Sequence, residues 1–244
     1  MSQELINEIT RFALAKTDEW RMQRLAMVER LGEEEAAFQI CWRTYQWPTG
    51  TPESALSKFA ELVSLKRLLE IERSQGLDKV GEVVVTVARE IPKFMPHMGF
   101  GTFGKFFKEL IKIARENEGS LVRAFRRFND AKMLEEWLTR LPGIGRVLAP
   151  CLVRELKIAG IINLSIENVS LSPAELVMRV LRRTGIIGKR TEVEEAKRII
   201  REKFKVSSMA LDAGLFCIGA YYCKDVPECD ICPITHVCPK IMEP

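Results

Sequence analysis

Apolar residues recur every three to four positions along most of this chain, the signature of helices that lay one face on a core. In ELINEITRFALAK (4–16), Leu5, Ile9 and Phe12 share a face, and residues 18–31 continue in the same style. EEEAAFQICWRTYQW (33–47) opens acidic and turns apolar, as a helix entering a core does. PTGTPES (48–54) is a break, and ALSKFAELVSLKRLLEIERS (55–74) predicts one or two helices. In KVGEVVVTVAREIP (79–92) the run VVVTV has strand propensity, but the spacing of Val80, Val83, Val84 and Val87 favours a helix. MPHMGFGTFG (95–104) is read as a glycine-punctuated turn. Helices follow in KFFKELIKIAREN, SLVRAFRRF and AKMLEEWLTRL, and again in APCLVRELKIA (149–159). IINLSIENVSL (161–171) is extended or irregular. Ser172-Pro173-Ala174-Glu175 then starts a helix, with serine as cap, proline in the first turn and glutamate reaching back to the cap. Residues 191–204 and 207–222 complete an all-α chain of about ten helices, with no repeat and no low-complexity linker.

Composition adds little to this picture. The 244 residues suffice for one large domain or two small lobes. No apolar run approaches the roughly 20 residues that span a bilayer. MSQELINEITRF is charged and amphipathic rather than a secretory h-region, so no membrane partner and a cytoplasmic location (nucleoid-associated in a prokaryote) are expected. Lys and Arg outnumber Asp and Glu by 37 to 33, a balance that permits nucleic-acid binding without arguing for it. RAFRR (123–127), RVLRR (179–183) and Lys189-Arg190 hold much of the positive charge, and each such cluster reads first as a solvated helix face.

Cysteine usage changes the picture more. Cys41, Cys151 and Cys217 sit in apolar contexts and read as small buried hydrophobes. Cys223, Cys229, Cys232 and Cys238 instead form a C-x5-C-x2-C-x5-C set. A C-x2-C pair lets two thiolates reach one centre from a tight turn, and the flanking thiols close a four-sulfur site. Pro227 and Pro233 stiffen the loops and lower the cost of ordering them. With nothing to suggest export, disulfides are the lesser reading. The spacing alone leaves a four-thiolate zinc site and an iron–sulfur cluster equally open. His236, inside the last loop, reads as a bystander or an outer donor rather than a ligand.

A second motif is LPGIG (141–145). A turn this tight either joins two packed helices or presents backbone amides to a phosphate. A helix N-terminus carries unpaired N–H donors and partial positive charge. Gly143 and Gly145 allow positive φ and a close backbone approach, Ile144 pins the turn to the core, and Arg146 follows at the start of the next helix. Such contacts hold nucleic acid without reading its sequence.

Hairpin and cysteine set, in this order and at this separation, resemble the endonuclease III branch of the helix-hairpin-helix DNA glycosylases over about residues 30–240. LPGIGRVLA resembles the family's LPGVGRKTA, and LFCIGAYYC resembles the helix leading into the first cysteine. The first cysteine loop has five residues where the family has six. The resemblance implies a [4Fe–4S] cluster on the four thiols and a double-stranded DNA partner. It also implies two helical lobes: a barrel-like lobe with the hairpin (35–158), and a second lobe from 1–34 and 159–244 that carries the cluster. Gln46 falls where the family fills the gap left by an extruded base, and Phe100 where a second loop intercalates. The implied reaction is extrusion of a damaged or mismatched base and cleavage of its N-glycosidic bond, by a monomer, in base-excision repair.

The chain departs from the family at three places. Val147 stands where bifunctional members carry the Schiff-base lysine, so no lyase step is expected by that route. The catalytic aspartate position falls at or beside Ala174, which leaves Glu175 and Glu167 as the carboxylates within reach of that role. Glu175 reads first as a helix-capping partner, and Glu167 equally as a solvated loop residue. The first cysteine loop, KDVPE, is net negative where the family's is basic, which weakens phosphate binding there. A binding protein for damaged or branched DNA, or for RNA, is therefore the alternative to an enzyme, and a helical protein with a zinc knuckle is the plainest one. Trp42, Tyr45 and Trp47 are read as core before base-stacking platforms, and His97 as a surface residue.

Overall fold

The computed structural model describes residues 3–166, 169, 175–204 and 208–241, the side chains of 208–210 excepted. Among these residues every regular element is helical. Twelve α-helices run in order: α1 (Gln3–Leu31), α2 (Glu33–Gln46), α3 (Glu53–Leu62), α4 (Leu65–Gln75), α5 (Leu77–Glu90), α6 (Gly99–Glu116), α7 (Leu121–Arg126), α8 (Ala131–Leu138), α9 (Gly145–Ile158), α10 (Glu175–Arg183), α11 (Val193–Lys203) and α12 (Ser208–Tyr221). No helix among the described residues is long and apolar enough to cross a membrane. The contacts divide the chain into two compact units, residues 24–165 and residues 1–23 with 166–244.

The helical expectation holds, with two local differences, and residues 55–74 take the two-helix form of the one or two expected. Residues 4–16 and 18–31 merge into the single helix α1, because no glycine or proline interrupts them and the Thr17 hydroxyl donates back to Ala13 O instead of capping a new helix. Residues 55–74 split into α3 and α4 at Val63 and Ser64, whose backbones are extended. Ser64 accepts from Arg67 N and so caps α4. MPHMGFGTFG is mostly not a turn, since α6 starts at Gly99. Gly104 serves helix packing instead. A Cβ there would lie 3.3 Å from the Gly81 carbonyl oxygen, so the pair lets α5 and α6 approach closely. The valine run is helical as its spacing suggests, with Val80 and Val84 buried in α5.

The core of unit 24–165 is aromatic. Phe38, Trp42, Tyr45, Phe59, Phe103, Phe106 and Phe107 are all fully buried and meet edge-on or stacked. The acidic start of α2 fastens two neighbouring helices. Glu34 accepts from the amides of Leu121 and Val122 at the start of α7, and Glu35 from Leu65 N at the start of α4. Burial raises the Glu35 carboxyl above its ordinary value. The core of the other unit is aliphatic, built on Leu5, Ile9, Val177, Leu181, Ile200, Leu215 and Ile218.

Candidate nucleic-acid interface and cysteine centre

The hairpin lies wholly within unit 24–165. After α8, Leu141 N donates to Leu138 O, and Ile144 N donates to Leu141 O at 3.0 Å, closing the turn. Gly143 (φ 81°) and Gly145 (φ 45°) both adopt the left-handed backbone that L-residues avoid. Ile144 is buried, so it anchors the turn rather than touching a ligand with its side chain. No side chain caps α9, and no acceptor among the described residues takes the amide hydrogens of Gly145 or Arg146, which are exposed. This is the donor set that a phosphate oxygen fits. Val147 stands exposed on the same turn.

The two glycines differ. A Cβ on Gly145 would meet nothing within 4 Å, whereas one on Gly143 would come 2.5 Å from Tyr45 Cε2. The space beside Gly143 is therefore filled by a core ring, and only the Gly145 side is open to an approaching backbone. Tyr45 is fully buried, stacked on Phe106 with centroids 4.6 Å apart, and its hydroxyl donates to the His97 carbonyl. Burial raises its hydroxyl pKa.

Gln46 does not fit the role expected of it. It is buried, and its Oε1 accepts from His97 N at 3.0 Å, so it cannot fill a gap in a duplex without leaving this bond. It sits here because α2 continues into the core up to its last residue. Phe100 is likewise drawn inward: it lies half-buried in the first turn of α6, with the Arg89 guanidinium 5.1 Å from its ring centroid. The exposed apolar side chains of this loop are Met95 and Met98, 58% and 66% accessible, with Met98 held at φ 58°. Methionine gave no signal in the sequence beyond its place in the loop. His97 is half-buried, and desolvation lowers its pKa from the ordinary value. Trp42 is core, and Trp47 packs its ring 5.5 Å from the Arg154 guanidinium.

Glu155 was not signalled by the sequence either, since RELK in an amphipathic helix reads as surface. Its carboxylate is buried and pairs with Arg24 at 2.6 Å and Arg154 at 3.5 Å. Both pairs lie within the same unit, and two cations on one buried carboxylate offset its desolvation.

The second candidate centre lies in the other unit. α12 delivers Cys223, whose N–H donates to Ile218 O at 2.7 Å. A 3₁₀ turn (Cys229–Ile231) positions Cys229 and Cys232, and Cys238 N donates to Ile234 O. All four thiols line one cavity, with Val180, Ile218 and Ile234 as its apolar wall. They are half-buried, whereas Cys41, Cys151 and Cys217 are fully buried as expected. Burial pushes the Cys232 and Cys238 thiols up, and the neighbouring thiols add to the rise. A cationic group inside the cavity would reverse that effect, since thiolate is the ligating form. No carboxylate or imidazole shares the lining, which besides the thiols holds Thr184, Tyr222, Thr235 and Lys240, so the four sulfurs are the ligands it offers and suit zinc or iron–sulfur chemistry. Among the described residues, no three Cys, His, Asp or Glu side chains gather tightly enough to close on a single ion. His236 Nε2 lies 3.9 Å from Glu8 and takes no part. Arg183, on α10, clasps the loop by donating to the carbonyls of Lys224 and Asp225, with Nη1 3.7 Å from Cys223 Sγ.

Of the two carboxylates considered for catalysis, Glu167 lies outside the described residues. Glu175 opens α10 as an exposed side chain, 3.3 Å from Arg182. Ser172, Pro173 and Ala174 also lie outside the described residues, and with them the cap expected there. No family model matches the chain, and no curated protein matches it.

Proposed function

We propose that this protein binds duplex DNA through the hairpin at residues 141–147, on a two-lobed helical scaffold of the endonuclease III kind. In this reading residues 24–165 supply the barrel-like lobe, and the second lobe carries a [4Fe–4S] cluster on Cys223, Cys229, Cys232 and Cys238. The observation that carries it is the pair of left-handed glycines opening α9, with the exposed amides of Gly145 and Arg146 unpaired. Arg146 adds an exposed cation on the same turn.

Four sulfurs around one cavity suit a zinc ion or a cluster, and the resemblance to the endonuclease III branch favours the cluster. A zinc ion holds each sulfur at about 2.3 Å, which brings the sulfurs within roughly 4 Å of one another. A cluster with one iron per thiolate spreads them wider. When bound, such a cluster supplies a four-point tether. The chain's own part is to fix the loop through Arg183 and to wall the cavity with Ile218 and Ile234.

The reaction proposed is extrusion of a damaged or mismatched base and hydrolysis of its N-glycosidic bond, without a Schiff base because Val147 replaces the lysine. Met98, with Met95, takes the place of Phe100 as the apolar side chain offered to the base stack. The exposed, arginine-paired state of Glu175 favours a second reading, a non-catalytic binder of DNA or RNA structure. One experiment decides between them: purified protein in excess over duplexes with uracil, a mismatch, oxidised or alkylated bases. Base release supports the enzyme, and salt-sensitive binding without release supports the binder. No retention of DNA or RNA at low salt, or full retention after both glycines are replaced, overturns both.

A further inference from the structure

The hairpin and the methionine loop are separate in sequence but share one buried side chain. Tyr45 leaves no room for a Cβ at Gly143, and its hydroxyl donates to the carbonyl of His97. Its neighbour Gln46 accepts from the amide of the same residue. Thr51 then accepts from Met95 N at 3.4 Å and donates to Met95 O at 3.2 Å. The backbone of the 95–98 loop is thus held from below at His97 and Met95, while the side chains of Met95 and Met98 stand out in solvent. Met98 keeps a left-handed conformation that a non-glycine side chain adopts only when its surroundings impose it.

We infer that Tyr45 is a positioning residue that sets the hairpin amides and Met98 at a fixed distance from each other, so that one nucleic-acid ligand meets both at once. The inference rests on the nucleic-acid reading of the hairpin for its consequence, but not for its mechanical part. Tyr45 touches no ligand, being fully buried. Its ring presses on the turn and its hydroxyl holds the loop, so a shift at either end is passed to the other through a side chain packed on Phe106. Fixing two contact points before binding removes the cost of ordering them during binding.

Two measurements test this. In the free protein, hydrogen exchange of the segment 93–100 is compared between Gly143→Ala and Gly145→Ala. Both strain a left-handed glycine in the same turn, but only the first displaces Tyr45. Exchange at Met95 and His97 should speed up by about tenfold in the first and stay unchanged in the second. Equal exchange in the two variants overturns the inference. With a fluorescent duplex, Tyr45→Phe keeps the ring and loses the hydroxyl, and should bind several-fold to about tenfold more weakly. Met98→Ala should weaken the unsubstituted protein but add nothing in the Tyr45→Phe background. If the two losses simply multiply, the coupling is absent. If the unsubstituted protein binds no nucleic acid, the function reading fails, while the exchange comparison still decides whether Tyr45 links the two segments.

Discussion

The hairpin and the cysteine loop use the chain in opposite ways. At the hairpin the side chain of Ile144 is buried, Gly143 is covered by Tyr45, and what faces outward is backbone. At the cysteine loop the backbone is fastened by Arg183 and by turns back onto α12, and the side chains carry the chemistry. The outer surfaces differ too. Val226, Ile231 and Tyr221 are 83%, 67% and 62% exposed around the cysteines. Arg179 is paired with Asp225 at 2.6 Å and Lys224 with Glu228 at 2.6 Å. A surface of this kind offers little to phosphate, so affinity for nucleic acid should reside in the hairpin.

The largest effect expected concerns the cysteines. If the loop carries the proposed cluster, Cys232→Ser should remove most of the iron and sulfide found in the purified parent protein and bleach its visible colour. It should also destabilise the unit by about 3 kcal/mol, since a group that binds only the folded chain adds its binding energy to folding. A colourless, zinc-loaded parent protein would break this side of the comparison.

Gly143→Ala comes next. The collision with Tyr45 and the left-handed backbone together should cost about 2–4 kcal/mol of stability, read by denaturant titration, and at least tenfold in duplex affinity. Gly145→Ala has the backbone penalty without the collision and should cost about 1–2 kcal/mol. Equal costs would mean that Tyr45 yields easily.

Arg146→Ala should leave stability unchanged. Its affinity loss should be the same for every duplex sequence, and the slope of log affinity against log salt should shrink by about one. A change in sequence preference instead would move Arg146 from phosphate to base.

The smallest effect involves His97. Burial favours its neutral ring, so the unfolded chain takes up the proton more readily than the folded one. The stability contributed this way is complete above the ordinary histidine value of 6.5 and is lost as pH falls through the lower folded value. His97→Asn should therefore flatten the decline of stability between neutral and mildly acid pH, by less than about 1 kcal/mol. An unchanged slope would leave the decline to other groups.

What could be read in advance follows from the same contrast. Thiols at a fixed spacing announce themselves because the residue type is itself the chemistry. The helices were legible from periodicity, including α5 against its β-branched run, because burial of one face outweighs local propensity. The burial of Gln46 and the half-burial of Phe100 were not legible, because they depend on which side of the chain faces solvent. At the end of α2 and the start of α6 that is settled by the aromatic core. Of their neighbours, Tyr45 is buried and Met98 exposed.

The sequence by itself determined that this is a helical chain with two centres, a glycine-bounded turn and a four-thiol loop. Periodicity and residue chemistry are local properties, and they survive in a string of letters. Only the tertiary structure decided that Gly143 is a packing glycine and Gly145 an open one, that Met98 stands exposed while Phe100 is half-buried, and that Tyr45 reaches both turn and loop. These outcomes depend on which atoms fill the last few ångströms between segments some fifty to one hundred residues apart. That competition for space is settled by close packing of the whole core.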